Sequence, residues 1–230
     1  CALPISDIYS KIFENYTKKQ WGIDPAELDT SVISRIPIRL NRDTRYFADR
    51  YQGMPKFGYT KMCEKMAANK NIKIMLNTDY KEVIGDISYE KLIYTGPADD
   101  YYDYKYGRLS YRSIHFAFET YDKETFQEAP VVNYPNDYDY TRITEFKKLT
   151  WQEHRKTTIC KEFPCAEGEP YYPFPTKDCK AQFALYAEEM KKESKVIFLG
   201  RLAEYKYYNM DAAVKRALDV FEQLQKAAQN

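Results

Sequence analysis

Residues 133–145, NYPNDYDYTRITE, place three tyrosines and several hydrogen-bonding side chains around a single arginine, Arg142. Arg142 is flanked by threonine and isoleucine, which favour strands. Because side chains alternate along a strand, Arg142 should project from one face and its neighbours from the other. A guanidinium among phenols and an amide suits a nucleotide diphosphate, whose oxygens it can bind in pairs. A tyrosine-rich sheet with one solvated arginine fits these residues equally well, so both interpretations stand at this point.

The sequence around this stretch predicts a larger antiparallel sheet. Between residues 101 and 174, short aromatic and β-branched runs alternate with Pro, Asp and Asn, a pattern typical of antiparallel strands joined by turns. Ahead of the sheet we expect a helix over 59–68, a strand with alternating apolar residues over 72–76 and a strand over 91–95 that stops at Gly-Pro. Those three elements are typical of part of an α/β domain.

After the sheet the chain returns to α/β elements. Residues 178–192 predict a helix, and the continuous apolar run at 196–199 predicts a buried strand in a covered sheet. A last helix over 211–229 should bury its apolar residues, which are Val214, Leu218, Phe221 and Leu224. Between that strand and that helix, a helix N-terminus would lie at the carboxyl end of the sheet, where anions bind well. An ordinary connection with a capped helix is the alternative.

The first 58 residues differ from the rest of the chain. Residues 7–22 predict an amphipathic helix closed by Gly22, and a second short helix should begin at Asp24 and Pro25. Residues 35–58 lack periodicity and carry several arginines between apolar and aromatic residues. This composition is common in binding regions, although each arginine alone is explained as a solvated side chain.

Composition excludes some classes of function. The 230 residues carry a net charge of +1 with no long basic block, which disfavours nucleic acid or an anionic membrane as a partner. No stretch is long enough to span a bilayer. Five scattered cysteines form no CxxC pair and match no zinc pattern, so we expect reduced thiols in a cytoplasmic protein and no metal site. The 23 tyrosines suit contacts to sugars and bases, and also half-buried sheet surface.

Eight short motifs resemble those of bacterial UDP-galactopyranose mutases, in the same order and at similar spacing. In chain order they are YTKKQWG at 16–22, RIPIR at 35–39, RYF at 45–47, QGMPKFGY at 52–59, YGRLSYR at 106–112, YTRITE at 140–145, YYP at 171–173 and FLGRL at 198–202. The resemblance runs from about residue 8 to the C-terminus. Eight motifs together are far more specific than any one of them.

The resemblance implies a flavoenzyme that interconverts UDP-galactopyranose and UDP-galactofuranose. In that family FAD must be reduced, and its N5 forms an adduct with the sugar while UDP departs and returns. The expected fold is mixed α/β and α+β: the C-terminal part of a discontinuous FAD-binding α/β domain, with a helical lid region and an inserted antiparallel β-sheet domain. The expected boundaries are 1–58 for the lid region, 59–100 and 176–230 for the FAD-binding domain, and 101–175 for the sheet domain. The resemblance also implies a cytoplasmic homodimer.

The resemblance assigns residues to the site. Arg35, on the family's lid, and Arg142 match the two arginines that hold the diphosphate, and are the expected catalytic residues. The residues that match substrate contacts are Ile12, Thr17, Trp21, Tyr46, Arg112, Asn133, Tyr172 and Tyr207. Those that match cofactor contacts are Tyr80, where the adenine would lie, and Arg201, Tyr208, Asn209 and Met210.

The sequence departs from the family in three ways. Ile12 stands where Phe usually contacts the uracil, and Asn209 stands where Asp is usual. The chain has eight glycines and no G-x-G-x-x-G turn, whereas the family opens with a Gly-rich flavin-binding turn. We therefore expect the N-terminal flavin-binding half to lie outside these residues, and the chain alone to bind FAD poorly and to be inactive. A flavin-dependent oxidoreductase of the amine-oxidase-like class and a non-catalytic UDP-sugar-binding protein remain as alternatives.

Overall fold

The computed structural model describes residues 5–29, 41–42, 45, 47, 49–174 and 176–229. Their fold is mixed α/β, with a five-stranded antiparallel sheet and a two-stranded parallel sheet. Within these ranges no helix has both the length and the apolar character needed to cross a membrane. The same residues contain no cluster of side chains suited to a metal ion.

The described residues form seven strands and seven helices. The strands are β1 (Leu92–Tyr94), β2 (Tyr111–Tyr121), β3 (Val131–Asn133), β4 (Arg142–Glu145), β5 (Thr157–Cys165), β6 (Tyr172–Pro173) and β7 (Val196–Phe198). The helices are α1, continuous through Ile5–Ile8, the π-helical turn Tyr9–Phe13 and Glu14–Trp21, then α2 (Gly58–Ala67), α3 (Tyr80–Val83), α4 (Ala98–Tyr101), α5 (Phe146–Thr150), α6 (Lys177–Met190) and α7 (Met210–Ala228). Two short 3-10 turns, Pro25–Glu27 and Ile84–Asp86, complete the set.

The antiparallel sheet has the strand order β3-β4-β5-β2-β6. Arg142 in β4 pairs with Asn133 on one side and with Glu162 in β5 on the other. Glu162 in turn pairs with Phe116 in β2. Since side chains alternate along strands, Arg112, four residues before Phe116, lies on the same face as Arg142 and Glu162. The register therefore gathers two arginines and a carboxylate on one side of the sheet.

The parallel pair joins β1 to β7, with Leu92 opposite Val196. Helix α6 leads into β7, and its buried residues pack with the segments before β2 and after β7. The resulting core cluster consists of Ala98, Leu109, Cys179, Tyr186 and Tyr205. Ala98 and Leu109 lie between β1 and β2 in the chain, and the other three residues lie in α6 or after β7. This core therefore joins segments next to the antiparallel sheet to segments next to the parallel pair.

Helix α1 confirms the helix predicted over 7–22. It ends at Gly22, whose φ of 73° is left-handed and whose N–H donates to the Lys18 carbonyl. The Asp24 side chain then accepts from the Ala26 N–H and caps the following 3-10 turn, as expected. The π-helical turn was not predicted; such turns insert an extra residue into a helix and are frequent at functional sites. Trp21 is 5% exposed at the end of α1.

Two other predicted helices and the strand at 91–95 are confirmed as α2, α6 and β1. The strand predicted over 72–76 is wrong: these residues have no strand partner in the described part of the chain, and Ile72, Ile74 and Leu76 are exposed. Alternation alone does not make a strand when no neighbouring strand is present to pair with it.

The burial predicted for the last two elements is also incorrect. Helix α7 forms as expected, but Val214, Leu218 and Phe221 are 54–60% exposed, and Leu224 is only half-buried. Strand β7 forms but is half-buried, because the described residues supply only β1 as its partner. In both cases the apolar pattern predicted the type of element correctly. The described residues do not bury the apolar side chains of either element.

Candidate functional site

The central charged group of the candidate site is Arg142, paired with Glu162. Its Nε lies 2.9 Å from Oε2 of Glu162, but this contact is not aligned as a hydrogen bond, and the buried Nε has no hydrogen-bond partner in the described residues. Burial acts to lower the pKa of Arg142, but Tyr16 and Glu162 raise it above its ordinary value. Burial also raises the pKa of Glu162 against the opposing effect of Arg142. Arg142 is therefore a cation that is held against one carboxylate by charge rather than by an aligned hydrogen bond.

Three aromatic rings form a wall near this pair. The Trp21 ring meets Tyr172 and Tyr207 edge to face, with 6.2 Å between centroids in each case. Tyr172 and Tyr207 stack on each other at 5.3 Å. Burial raises the pKa of Tyr172, which keeps its hydroxyl protonated. Tyr172 and Tyr207 both act electrostatically on Arg142, so these two tyrosines lie near its guanidinium.

Arg201 supports this wall from the segment after β7. Its guanidinium lies 5.2 Å from the Tyr172 ring centroid and 5.0 Å from that of Tyr207, within the range of cation–π contact. It also donates to the carbonyls of Tyr171 and Tyr208. One side chain thus fixes the backbone on both sides of the tyrosine pair.

Helix α1 is attached to the antiparallel sheet by hydrogen bonds that involve its polar side chains. Lys19 Nζ donates to the carbonyls of Tyr134 and Asp137, at 2.6 and 2.9 Å, in the loop between β3 and β4. Asn15 and Asn136 are hydrogen-bonded side chain to side chain at 2.9 Å in the same contact. Burial lowers the pKa of Lys19, partly offset by Asp137. These bonds join the helix that carries Trp21 to the hairpin that carries Arg142.

The structure brings several of the predicted substrate residues together. Trp21, Arg142, Tyr172 and Tyr207 form the cluster described above. Arg112 lies behind Trp21 and is only 9% exposed. The others lie nearby in sequence or register: Thr17 is half-buried in α1, Asn133 is exposed beside Arg142, and Ile12 is 50% exposed in the π-helical turn. Arg35 and Tyr46 lie outside the described residues.

The predicted cofactor residues occupy two places. Arg201 and Tyr208 lie behind the aromatic wall, and Asn209 and Met210 begin α7. Asn209 makes no side-chain cap hydrogen bond, and Met210 is 64% exposed. Tyr80 lies elsewhere, in an open depression of about 330 Å3 beside β1 and the residues that follow it, with its ring 5.3 Å from that of Tyr94.

Sequence reasoning missed Glu162, Tyr16 and Lys19. Glu162 lies in a run of strand-forming residues, but its place opposite Arg142 depends on the register of β4 with β5. Lys19 and Tyr16 fall within the YTKKQWG motif, so the motif itself could have drawn attention to them. Their partners are more than 100 residues away and could not be read from local pattern.

The fold is that of a mixed α/β protein in which arginine and aromatic side chains lie together beside the antiparallel sheet. The sequence model of UDP-galactopyranose mutase matches residues 11–207, and the chain belongs to that family. It is 38% identical to a probable UDP-galactopyranose mutase of Klebsiella pneumoniae, over 97% of this chain and 59% of the relative. It is 35% identical to a dTDP-fucopyranose mutase of Escherichia coli, over 93% of this chain and 59% of the relative.

A UDP-galactopyranose mutase of Mycoplasma pneumoniae is 34% identical, over 96% of this chain and 61% of the relative. The chain therefore spans 59–61% of the length of these curated relatives.

Proposed function

We propose that this chain is part of an isomerase that interconverts UDP-galactopyranose and UDP-galactofuranose. The observation that carries the proposal is Arg142: a half-buried guanidinium that is paired with Glu162 and lies close enough to Tyr172 and Tyr207 to interact with them electrostatically. Such a group holds a diphosphate bidentately. Family membership and the relatives named as UDP-galactopyranose mutases support the same substrate.

In the proposed reaction, Arg142 acts on the bond between the sugar and UDP. Breaking this bond leaves negative charge on the diphosphate, so a fixed cation stabilises the transition state more than the bound substrate. Arg35, outside the described residues, is proposed as the second diphosphate arginine. Trp21, Tyr172 and Tyr207 would pack against the substrate and exclude water. The proposed further substrate contacts are Ile12, Thr17, Tyr46 and Asn133.

We propose FAD as the cofactor, and the residues present fit it. The first turn of α7 has backbone N–H groups that no Asn209 side chain caps, so it can receive a polar or anionic part of a cofactor. Arg201, Tyr208 and Met210 adjoin that turn, and the open depression lined by Tyr80 would take the adenine. Reduced FAD, when bound, supplies a nucleophilic nitrogen for reaction at the anomeric carbon.

The domain division and the assembly are part of the same proposal. β1, β7, α6 and α7 would belong to the FAD-binding domain over 59–100 and 176–230, with the sheet domain at 101–175 and the lid region at 1–58. The exposed apolar side chains of α7 support the proposal that another protein segment packs against that domain. The proposed enzyme is a cytoplasmic homodimer, which sedimentation of the whole protein would test.

The deciding experiment uses the whole protein that contains this chain. Its flavin is reduced with dithionite, UDP-galactofuranose is supplied, and UDP-galactopyranose is measured by chromatography. We expect conversion that depends on reduction and that falls by at least about a hundredfold in Arg142→Ala, as expected when a transition-state donor is removed. Absence of conversion with flavin bound would contradict the proposal and favour the oxidoreductase alternative.

A dTDP-linked 6-deoxy sugar is the second candidate substrate. The 35% identity to a dTDP-fucopyranose mutase supports this alternative. The same assay with dTDP-fucopyranose distinguishes the two, since the preferred substrate should show the higher kcat/KM. Preference for the dTDP sugar would keep the reaction class and change the substrate.

A further inference from the structure

Arg112 caps the end of helix α1 that carries Trp21. Its Nε donates to the Gln20 carbonyl at 3.0 Å, and its Nη2 donates to the Lys19 carbonyl at 3.4 Å. The last carbonyls of a helix have no partner within the helix, so a side chain that binds them fixes the position of the helix end. Trp21 is the last residue of α1 and follows Gln20 directly.

The charge of Arg112 is balanced by this helix end. Arg112 is 9% exposed, and no carboxylate lies within ion-pair distance of it among the described residues. Burial lowers the pKa of its guanidinium. The negative end of the α1 dipole and the two carbonyls provide the compensation that a buried cation requires.

Gly22 lies against the remaining part of the guanidinium. A Cβ built on Gly22 would be 3.1 Å from Arg112 Nη1 and 3.5 Å from Cζ. Nε and Nη2 donate to α1, and Nη1 faces the turn that ends the helix. The end of α1 therefore takes two of the five guanidinium N–H groups and packs against the side of the group that carries Nη1.

The backbone of Arg112 positions the other side of the aromatic wall. In the sheet, Arg112 pairs with Tyr172, and its carbonyl accepts from the Tyr171 N–H at 3.0 Å. The rings of Trp21 and Tyr172 meet at 6.2 Å. One residue thus holds Tyr172 through its main chain and Trp21 through its side chain.

We infer that Arg112 is a positioning residue, which sets the geometry of the aromatic wall by capping α1 and does not itself hold the sugar. The resemblance places Arg112 among the substrate contacts, and the inference gives it a different role at the same place. Its importance for catalysis rests on the proposed function, whereas its effect on Trp21 does not.

The test begins without ligand. The whole protein is labelled with 5-fluorotryptophan, and the 19F resonance of Trp21 is assigned with the Trp21→Phe variant. We expect Arg112→Ala to shift or broaden this resonance, and Arg112→Lys to restore it in part, because an ammonium can donate to the same carbonyls. Arg108→Ala is the matched control: Arg108 is exposed, stacks on Tyr104 at 3.9 Å, and should leave the resonance unchanged.

A second variant perturbs the same contact from the opposite side. Gly22→Ala keeps Arg112 but introduces a Cβ into a left-handed residue beside the guanidinium. We expect the Trp21 resonance to change as in Arg112→Ala. An unchanged Trp21 resonance in both variants would overturn the inference, whether or not either variant is less stable.

The affinity for UDP-galactose then separates positioning from direct contact. If Arg112 acts through Trp21, the double variant Arg112→Ala, Trp21→Phe should bind UDP-galactose no more weakly than the weaker-binding single variant. The loss of affinity relative to the wild type should be on the order of tenfold. Losses that multiply would show an independent contact and contradict the inference. If the wild-type protein binds no UDP-galactose, the proposed function fails, while the 19F measurement still decides the role of Arg112.

Discussion

Glu162 neutralises the charge of Arg142, but both charged groups are partly removed from water, which costs free energy of solvation. Its side chain is 14% exposed, and burial raises its pKa. Replacing it by glutamine leaves Arg142 without a counter-charge, which should destabilise the unliganded protein by about 1–3 kcal/mol. A bound diphosphate would supply the missing negative charge. The negative charge of a bound diphosphate could therefore take the place of the Glu162 carboxylate as the counter-charge of Arg142.

We therefore predict that UDP raises the melting temperature of Glu162→Gln by more than it raises that of the wild type. Thermal denaturation with and without saturating UDP measures both values. The matched control is Glu119→Gln, because Glu119 pairs with Lys161 at 2.6 Å and alternation places it on the other face of β2 from Phe116. Equal UDP-induced shifts in Glu162→Gln and wild type would contradict the proposed contact between Arg142 and the diphosphate.

Glu145, in the same strand as Arg142, fixes a different part of the sheet. It is fully buried and accepts from the N–H groups of Phe126 and Gln127 and from the Thr157 hydroxyl. Burial acts to raise its pKa, but these hydrogen bonds together hold the pKa below its ordinary value. Glu145 therefore stabilises the loop before β3 in its ionised form.

Glu145→Gln should lower the free energy of unfolding by about 2–4 kcal/mol, since the amide cannot accept from all these donors. Because the folded pKa is lowered, the stabilisation is complete above the ordinary carboxyl pKa of about 4.3 and is lost as the pH falls through the folded value. Urea unfolding at neutral and acidic pH should show the difference between variant and wild type shrinking in acid. Glu128→Gln, an exposed change in the same loop, should be neutral.

At the scale of elements, helix α7 has an apolar face that the described residues leave open. Val214, Leu218 and Phe221 follow the i, i+4, i+7 spacing of one helix face, whereas Val220 is buried. A helix with apolar residues on both sides is normally packed between two layers. The exposed face therefore indicates an interface with further protein.

We predict that Leu218→Gln destabilises the whole protein, lowering the free energy of unfolding by about 2 kcal/mol or more, because it would place a polar group in an apolar contact. Chemical denaturation measures this change. Glu222→Gln, at an exposed polar position of the same helix, is the control and should have little effect. A neutral Leu218→Gln would show that this face stays in water.

The sequence predicts a structural feature well when the residues that determine the feature are neighbours in the chain, and poorly when they are far apart. The end of α1 was predictable, because Gly22, Asp24 and Pro25 define it by their own conformations. The motifs also identified Arg142 and Trp21 as site residues to test. The ion pair with Glu162 was not predictable, since it depends on strand register. The alternation at 72–76 predicted a strand wrongly, because a strand needs a partner that the pattern does not contain.

At the scale of the whole molecule, large apolar side chains are exposed on several elements of the described residues. Met66, Leu76 and Val214 are each at least 60% exposed. Where exposed apolar side chains form one continuous face, as on α7, they mark an interaction surface.

We therefore predict that the 230-residue chain, produced alone, binds the dye ANS strongly and associates with itself, whereas the whole protein does neither to the same degree. Fluorescence titration and sedimentation at several protein concentrations provide the two measurements. The paired variant Val214→Lys, Leu218→Lys should reduce both effects in the chain, because it adds charge to the exposed apolar face of α7. A monomeric chain that binds no ANS would mean that the exposed residues cover one another in solution, and it would remove the structural support for a covering layer over α7.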